Sequence, residues 1–538
     1  MFATLFALLG AYPPCDSPND MLKTAVPRLP PDHSEANEKT RRITLTRDIA
    51  CKKAIMSPIH HLPAELLAQV FVECIPVLNP VDVHSTSSVS LVISQVSRQW
   101  RVIAHSVPAL WATFAFAECP WAKQCSRSEA CRLDLFIARS GEHPLSFRFS
   151  TYPQCFNVKQ SIDTHPVLSR LFKLSHRWRT VGLSLPYRAY LGQHPLALPD
   201  LEYLALESPG PYSAEGSGIH PPKIFSLSPR LTRISLQKYT KPTRAFLLPW
   251  SQIRELHLRE NVIYDNDYGV VLQQATNLES LLVEQNYFDQ PLSTPIICAS
   301  IKSLTVLTKT SSHGVKNLLA SLVLPNLTSL DLRLWKPSGQ EIDTAVQFLD
   351  HSGSSVIHFT CRLWNDHQLV RLLEKMPNLT HVDLRGSLIG PFLSKQLTIS
   401  RHPRTQTQLE EASPLGLNVD LDPESGVENE NVSLPSDTSS SRSLVPPPSY
   451  LVPRLESLRL SDDSLTPDLS GLTEAIISRV QISSDMTSVS PLTRVEVLLR
   501  KDLEITAMNP FQKLVETKWG RHVTVALGDR GAARAESS

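Results

Sequence analysis

A six-residue pattern with apolar side chains at positions one, four and six recurs along this chain, and it constrains the fold more than any other feature. Clear copies begin at Trp178, Leu201, Leu231, Ile253, Leu278, Ile301, Leu327, Val356, Leu379 and Leu455. Leu327-Thr328-Ser329-Leu330-Asp331-Leu332 is typical. The alternation between positions four and six is that of a strand with one face in a core. Five copies carry a proline two residues ahead, at Pro199, Pro229, Pro325, Pro377 and Pro453. Proline there ends a preceding helix and favours extended backbone.

Most copies lie between 22 and 30 residues apart, the period of leucine-rich repeats. Each such unit stacks on its neighbours and buries a face that it cannot bury alone. Val346-Gln347-Phe348-Leu349 and Leu369-Val370-Arg371-Leu372-Leu373 supply helical runs ahead of the next hexad. Only Asn261 and Asn286 fill the asparagine position of the standard repeat, so the expectation is an irregular solenoid. Parallel strands would line its concave face, with helices and loops on the convex face. Ile477 to Ile482 and Leu492 to Val497 are expected to finish the array, although they lie too close together for both to be full repeats.

A different pattern precedes the repeats. Pro63 suits the first turn of a helix, and Leu66, Leu67, Val70, Phe71 and Cys74 then recur at helical spacing. After a polar loop from Asn79 to Ser88, Val92, Ile93, Val96, Trp100 and Ile103 fall on one side of a second helix, opposite Arg98, Gln99 and Arg101. Pro108 ends it, and Ala109-Leu110-Trp111 makes a short apolar turn. Three short helices do not bury this much apolar surface by themselves. Periodicity alone leaves open the first layer of a larger helical domain.

The order Leu62-Pro63, then Val96-Ser97-Arg98-Gln99-Trp100-Arg101-Val102-Ile103-Ala104, then Pro108-Ala109-Leu110-Trp111 resembles the F-box. It looks especially like the large F-box and leucine-rich-repeat family of mushroom-forming (basidiomycete) fungi. Phe136 to Gly141 with Pro144-Leu145 resembles that family's linker, and Ser175-His176-Arg177-Trp178-Arg179 the start of its repeats. Ser97 stands where many F-boxes carry cysteine. The resemblance implies a non-catalytic, substrate-recognition subunit of an SCF-type cullin–RING ubiquitin ligase, without a cofactor, in the cytoplasm or nucleus. Its fold would be α+α/β, a short three-helix F-box followed by the solenoid. The F-box would dock a Skp-type adaptor and, through it, a cullin scaffold, and the repeats would hold an unidentified protein substrate. Leu62, Pro63, Leu66, Leu67, Val70, Phe71, Val96 and Trp100 carry over as the packed or adaptor-facing set. The alternative is a leucine-rich-repeat scaffold with no part in ubiquitylation.

The expected organisation is a leader over 1–55, the F-box over 56–115, a helix and strand linker over 116–174 and repeats over 175–393. An acidic, Ser- and Pro-rich insertion follows over 394–450, then C-terminal repeats and a cap over 451–528 and a tail over 529–538. The insertion carries Glu410, Glu411, Asp420, Asp422, Glu424, Glu428, Glu430 and Asp437 ahead of Pro446-Pro447-Pro448. Such a composition buries too little surface to offset chain entropy. Phe2 to Ala11 is apolar but short for a membrane span. It lacks the basic flank of a secretory signal, and Met21 or Met56 is an alternative start.

Lys plus Arg number 53 against 52 for Asp plus Glu, so the total gives no sign of a nucleic-acid or membrane partner. Nine scattered cysteines in 538 residues fit reduced thiols better than a disulfide framework. His60-His61 has no local carboxylate or cysteine to complete a metal site. Cys119, Cys125 and Cys131 recur without a Cys-x-x-Cys pair. No Gly-rich phosphate loop, Gly-x-Ser-x-Gly elbow or His-Glu-x-x-His occurs.

Positions three, five and the residue after six should face the concave surface. The last of these gives Glu207, Gln237, Arg259, Glu284, Leu307, Arg333, Arg362 and Arg385. Arg333, Arg362 and Arg385 fall on consecutive repeats, and with Arg259 they are the candidate contacts for an acidic or phosphorylated substrate segment. The competing reading is a solvated face with local Arg–Asp pairs, in which Asp331 and Asp383 take part. The acidic insertion could also fold back on these arginines and compete with substrate.

Overall fold

The computed structural model describes residues 41–46, 59, 62–75, 89–117, 125–151, 162–209, 221–239, 245–263, 267–308, 314–362, 366–385, 390–398, 451–461, 469–480, 490–500 and 523–528, less 43, 192, 289, 293 and 336. The polar loop Asn79 to Ser88, His60-His61, Cys119, the acidic residues of the insertion and nearly all of the leader lie outside them. The chain divides into two compact units, 1–356 and 357–538.

The first unit opens with four helices, α1 (Ala64–Glu73), α2 (Val89–Val96), α3 (Arg98–Ser106) and α4 (Pro108–Trp111). Pro63 is the residue just ahead of α1, not inside its first turn. The apolar run from Val92 to Ile103, expected as one helix, is two. Ser97 interrupts it in extended conformation, and its hydroxyl accepts the Trp100 N–H at 3.1 Å. A serine that caps the next helix from its own side chain outweighs continuity of the apolar stripe. Phe71 packs on Trp100 with ring centroids 4.8 Å apart. Trp111 donates its indole N–H to the Ala104 carbonyl at 2.7 Å and meets Phe136 of α5 (Cys125–Ser140) edge-on. The short helices therefore close their core with the help of α5.

A parallel sheet follows in chain order. Its strands are β1 (Thr113–Ala117), β2 (Leu145–Ser150), β3 (Trp178–Ser184), β4 (Tyr203–Glu207), β5 (Arg233–Gln237), β6 (Glu255–Arg259), β8 (Ser280–Glu284), β11 (Ser303–Leu307) and β13 (Ser329–Arg333). Two small pairs, β7 (Val262–Ile263) with β9 (Tyr287–Phe288) and β10 (Ile296–Ile297) with β12 (Leu322–Val323), flank it. The sheet starts two strands earlier than the hexads, because Phe114, Phe116, Phe147 and Phe149 supply the same inward alternation. The motif ahead of β3 is a tie between layers. Arg177 donates to the Ser140 hydroxyl and the His143 carbonyl, and the Trp178 indole donates to the Leu171 carbonyl of α6 (Pro166–Lys173).

Local chemistry explains the repeat. Pro199, Pro229 and Pro325 each occupy the second position of a turn. In each, the N–H of the hexad's first residue closes on the carbonyl three residues back, as in Leu201 to Leu198 and Leu327 to Leu324. Asn261 and Asn286 are buried, and their side-chain amides donate to the Leu236 and Leu258 carbonyls of the preceding repeats. Their side-chain oxygens accept the N–H groups of Tyr239 and Asn261. Glu260 and Gln285, just ahead of them, take left-handed backbone at φ 49° and 51°, as does Lys238 at 63°. The asparagine ladder offsets a conformation that costs a non-glycine residue about 1 kcal/mol. Three helices back the strands, α7 (Asp267–Gln274), α8 (Val315–Ala320) and α9 (Gly339–Ser352), the last closed by a Ser338 and Glu341 capping box.

The second unit repeats the plan with β14 (His358–Arg362), β15 (His381–Arg385), β16 (Ser457–Ser461), β17 (Arg494–Arg500) and β18 (Val523–Gly528), again parallel and in chain order. Its helices are α10 (Asp366–Leu373), α11 (Pro391–Leu397) and α12 (Leu469–Val480). Two expectations need correction. The insertion does not begin at Ser394, which is buried inside α11. The hexad from Ile477 is no strand, because Ile477 to Val480 close α12. Apolar residues three apart fit a helix equally well, and here Leu472, Ala475 and Ile476 extend that spacing into the core.

Candidate functional site

The residues carried over as an adaptor-facing set separate into two kinds. Leu67, Phe71 and Trp100 are buried within the helical module. Leu62, Val70 and Val96 are half-buried, and Pro63 is exposed. Leu66 remains 45% exposed on α1. Val102 on α3, which was not in the set, is 69% exposed. It sits between Arg101 and Ile103, so the apolar stripe of its helix does not nominate it, and only its exposure does.

In the repeats, hexad positions four and six point into the core and positions three, five and the following residue to the other face, as in β13 with Leu330 and Leu332 inside and Ser329, Asp331 and Arg333 outside; on that face Ser184, Tyr203, Ala205 and Ser235 are nonetheless buried. The outer row of the first unit runs Ser184, Glu207, Gln237, Arg259, Glu284, Leu307 and Arg333 in register. Arg259 lies 3.4 Å from the Glu284 carboxylate on the next strand. Beside it runs the row Arg148, Gly182, Ala205, Ser235 and His257. Arg148 donates to Glu207 at 3.1 Å, and Glu207 also accepts Lys238 at 2.9 Å. Burial pulls the Arg148 guanidinium below its ordinary range against the pull of Glu207. Burial, with Arg259 and Arg233 beside it, brings the His257 imidazole down to about 4. Sequence reasoning selected Arg259 from this group and missed Arg148, Tyr203 and His257. Only the alternation of a strand preceding the first hexad could have placed Arg148 on this face.

Arg333 ends the last strand of the first unit and is clamped by Asp331 of its own strand, with Nε 3.0 Å from both carboxylate oxygens. In the second unit Arg362 and Arg385 end neighbouring strands. Arg385 is held by Asp383 at 2.9 Å in the same local way. His358 and His381 stack across these strands with centroids 4.5 Å apart, and His381 Nδ1 lies 2.7 Å from the Thr380 hydroxyl. Burial, then the neighbouring His381, lowers the His358 pKa.

Cys131 is exposed on α5, and no group of three metal-ligating side chains occurs among the described residues. Nor is any described helix long and apolar enough to cross a membrane. No family model matches the sequence, and no curated protein does. Among solved structures it is similar to the leucine-rich repeat-containing protein LegL7 from Legionella pneumophila. That match has a TM-score of 0.33 at 13% identity, over 75% of this chain and 97% of the other.

Proposed function

We propose that this chain is a substrate-recognition subunit of an SCF-type cullin–RING ubiquitin ligase in the cytoplasm or nucleus, with the helical module docking a Skp-type adaptor and the repeats holding a target protein. The observation that carries this reading is the division of apolar residues in α1 and α3. Phe71, Leu67 and Trp100 fill the module's core while Leu66 and Val102 stay in solvent. Large exposed apolar side chains on a small module ahead of a repeat array suit a partner helix or groove. The subunit would catalyse nothing itself and would raise the effective concentration of target lysines near a charged conjugating enzyme.

A pull-down of purified Skp-type adaptor with the full chain tests it. Wild type should bind, and both Leu62→Ala with Pro63→Ala and Leu66→Glu with Val102→Glu should lose capture at least tenfold while circular dichroism stays unchanged. Adaptor binding indifferent to both pairs, or absent in wild type, leaves the leucine-rich-repeat scaffold without a ligase role.

A further inference from the structure

The open face of the first unit gathers, in one place, buried hydrogen-bonding groups whose bonding capacity is only partly used. Arg148, Gly182, Ala205, Ser235 and His257 form one register row across β2 to β6. The three middle residues have the smallest side chains of the row, and longer side chains cover them, so that Ala205 and Ser235 are buried. The Arg148 stem crosses above Gly182, where a Cβ would lie 3.2 Å from its Cγ and the stem would have to shift. Arg148 is 8% exposed; one arm of its guanidinium reaches Glu207, and its Nη1 has no acceptor. The His257 Nδ1 is likewise buried without a hydrogen bond, the Arg259 Nε has only the Glu284 carboxylate 3.4 Å away, and the Tyr203 hydroxyl has only the neighbouring Ser235 side chain. Arg148, Arg233 and Arg259 all act on the Tyr203 hydroxyl through their charge, so the four groups share one locale.

Buried polar groups are satisfied almost everywhere in folded proteins, and each exception costs about 1–3 kcal/mol. Several exceptions side by side, most of them donors, fit an acceptor supplied from outside. Charge decides which acceptor. Arg148, Arg233 and Arg259 face Glu207 and Glu284 at the centre, while Lys238 is shared between Glu207 and Glu260 at the rim. Glu255 stands opposite Arg233 in register, so with His257 neutral the cluster is near balance, and one added negative charge disturbs it less than the two of a phosphate dianion.

We propose that this cluster is a receptor for one carboxylate group of an acidic peptide, which the Arg148 Nη1, the Arg259 Nε and the Tyr203 hydroxyl turn to bind. It deepens the functional reading above, resting on the repeats being the recognition surface, and it assigns the contact to a place the hexads alone do not mark. Arginine forks suit a planar carboxylate, and the low local dielectric strengthens each bond.

The full chain, labelled at histidine Cε1, is titrated with N-acetylglutamate amide, with N-acetylalanine for a chain-terminal carboxylate, and with N-acetylglutamine amide and inorganic phosphate as controls. One or both carboxylate probes should bind with millimolar affinity and shift the His257 signal, identified by its loss in His257→Gln. Which probe binds more tightly distinguishes a side-chain source from a C-terminal one. Arg148→Met, which keeps the stem over Gly182, and Arg259→Gln should each weaken binding at least tenfold, with Arg170→Met on α6 unchanged. Equal response to the glutamine probe, tighter binding of phosphate, or binding that survives in a folded Arg148→Met or Arg259→Gln overturns the assignment. Adaptor capture is read separately in the same preparations, so failure of the ligase reading leaves a positive carboxylate result standing, and the reverse.

Discussion

The two units build their open faces from the same strand pattern and differ in how deeply they bury the charges on it. In the first unit the most buried charged groups reach across strands. Arg148 of β2 pairs with Glu207 of β4, and Arg259 of β6 lies beside Glu284 of β8. These side chains are largely buried, and several of their donors are unmet. In the second unit Arg385 turns back to Asp383 of its own strand, and Glu496 on β17 has Arg459 of the neighbouring strand β16 and Arg494 of its own strand around it at 3.8 and 3.6 Å, with all three arginines partly in solvent. Solvated pairs hold a charge where it is. Buried pairs with unmet donors hold a charge ready for something else.

The sharpest contrast lies inside the second unit itself. Arg479 of α12 is buried and donates to the carbonyls of Leu397, Val452 and Leu451, which ties the helix to two distant segments. Burial pulls its pKa down to about 10, so it stays charged at neutral pH. Arg479→Met would leave the buried Leu397 and Leu451 carbonyls without this donor, while the Val452 carbonyl keeps the Leu455 N–H. The expected loss is about 3–5 kcal/mol of unfolding free energy, measured by denaturant titration. A change under about 1 kcal/mol would show that water or relaxation replaces those bonds, and the comparison of buried with solvated arginines would collapse.

His257 gives the next effect, and its sign follows from linkage. Its folded pKa of about 4 lies below the ordinary histidine value of 6.5. Between those values the unfolded chain binds more protons than the folded one, so stability rises with pH across that window and is level above it. The contribution is fully present above pH 6.5 and is lost as pH falls through 4. Its upper size is about 3 kcal/mol. His257→Gln should remove that slope between pH 7 and 4.5 relative to wild type, read as the difference of two denaturant titrations. Arg259, Arg233 and Glu284 face the ring, and only Glu284 opposes the shift.

The repeat architecture was legible because its causes are local. Pro199 and Pro325 make turns, Leu330 and Leu332 point inward two residues apart, and Asn261 bonds to the neighbouring repeat. Each of these depends on spacing alone. The break at Ser97 was less legible, since a capping hydroxyl competes with an apolar stripe that continues through it. Ile477 was misread because a three-residue apolar interval is shared by helix and hexad. The cluster around Arg148 was illegible for another reason. Its members come from β2, β4 and β6, and only strand register brings them together, which no window of sequence contains. The pairs at Arg333 and Arg385 were open as an alternative, because Asp331 and Asp383 stand two residues away on the same face.

Those two pairs define the small end of the comparison. Arg333 and Arg385 are each nearly one third exposed, and solvent screens their attraction to the neighbouring carboxylate. Arg333→Ala should cost no more than about 0.5 kcal/mol, because Asp331 can turn to water when its partner is removed. Arg385→Ala should cost more, about 1 kcal/mol, since Asp383 keeps one oxygen buried without a donor even in the intact pair. Both losses should shrink in 1 M salt, where charges on solvated groups are screened within about 3 Å. Thermal unfolding of the two variants at low and high salt checks the order. If Arg333→Ala proved the costlier, its bidentate clamp would be holding the strand end rather than decorating it, and the division between structural and available arginines would have to be redrawn at that position.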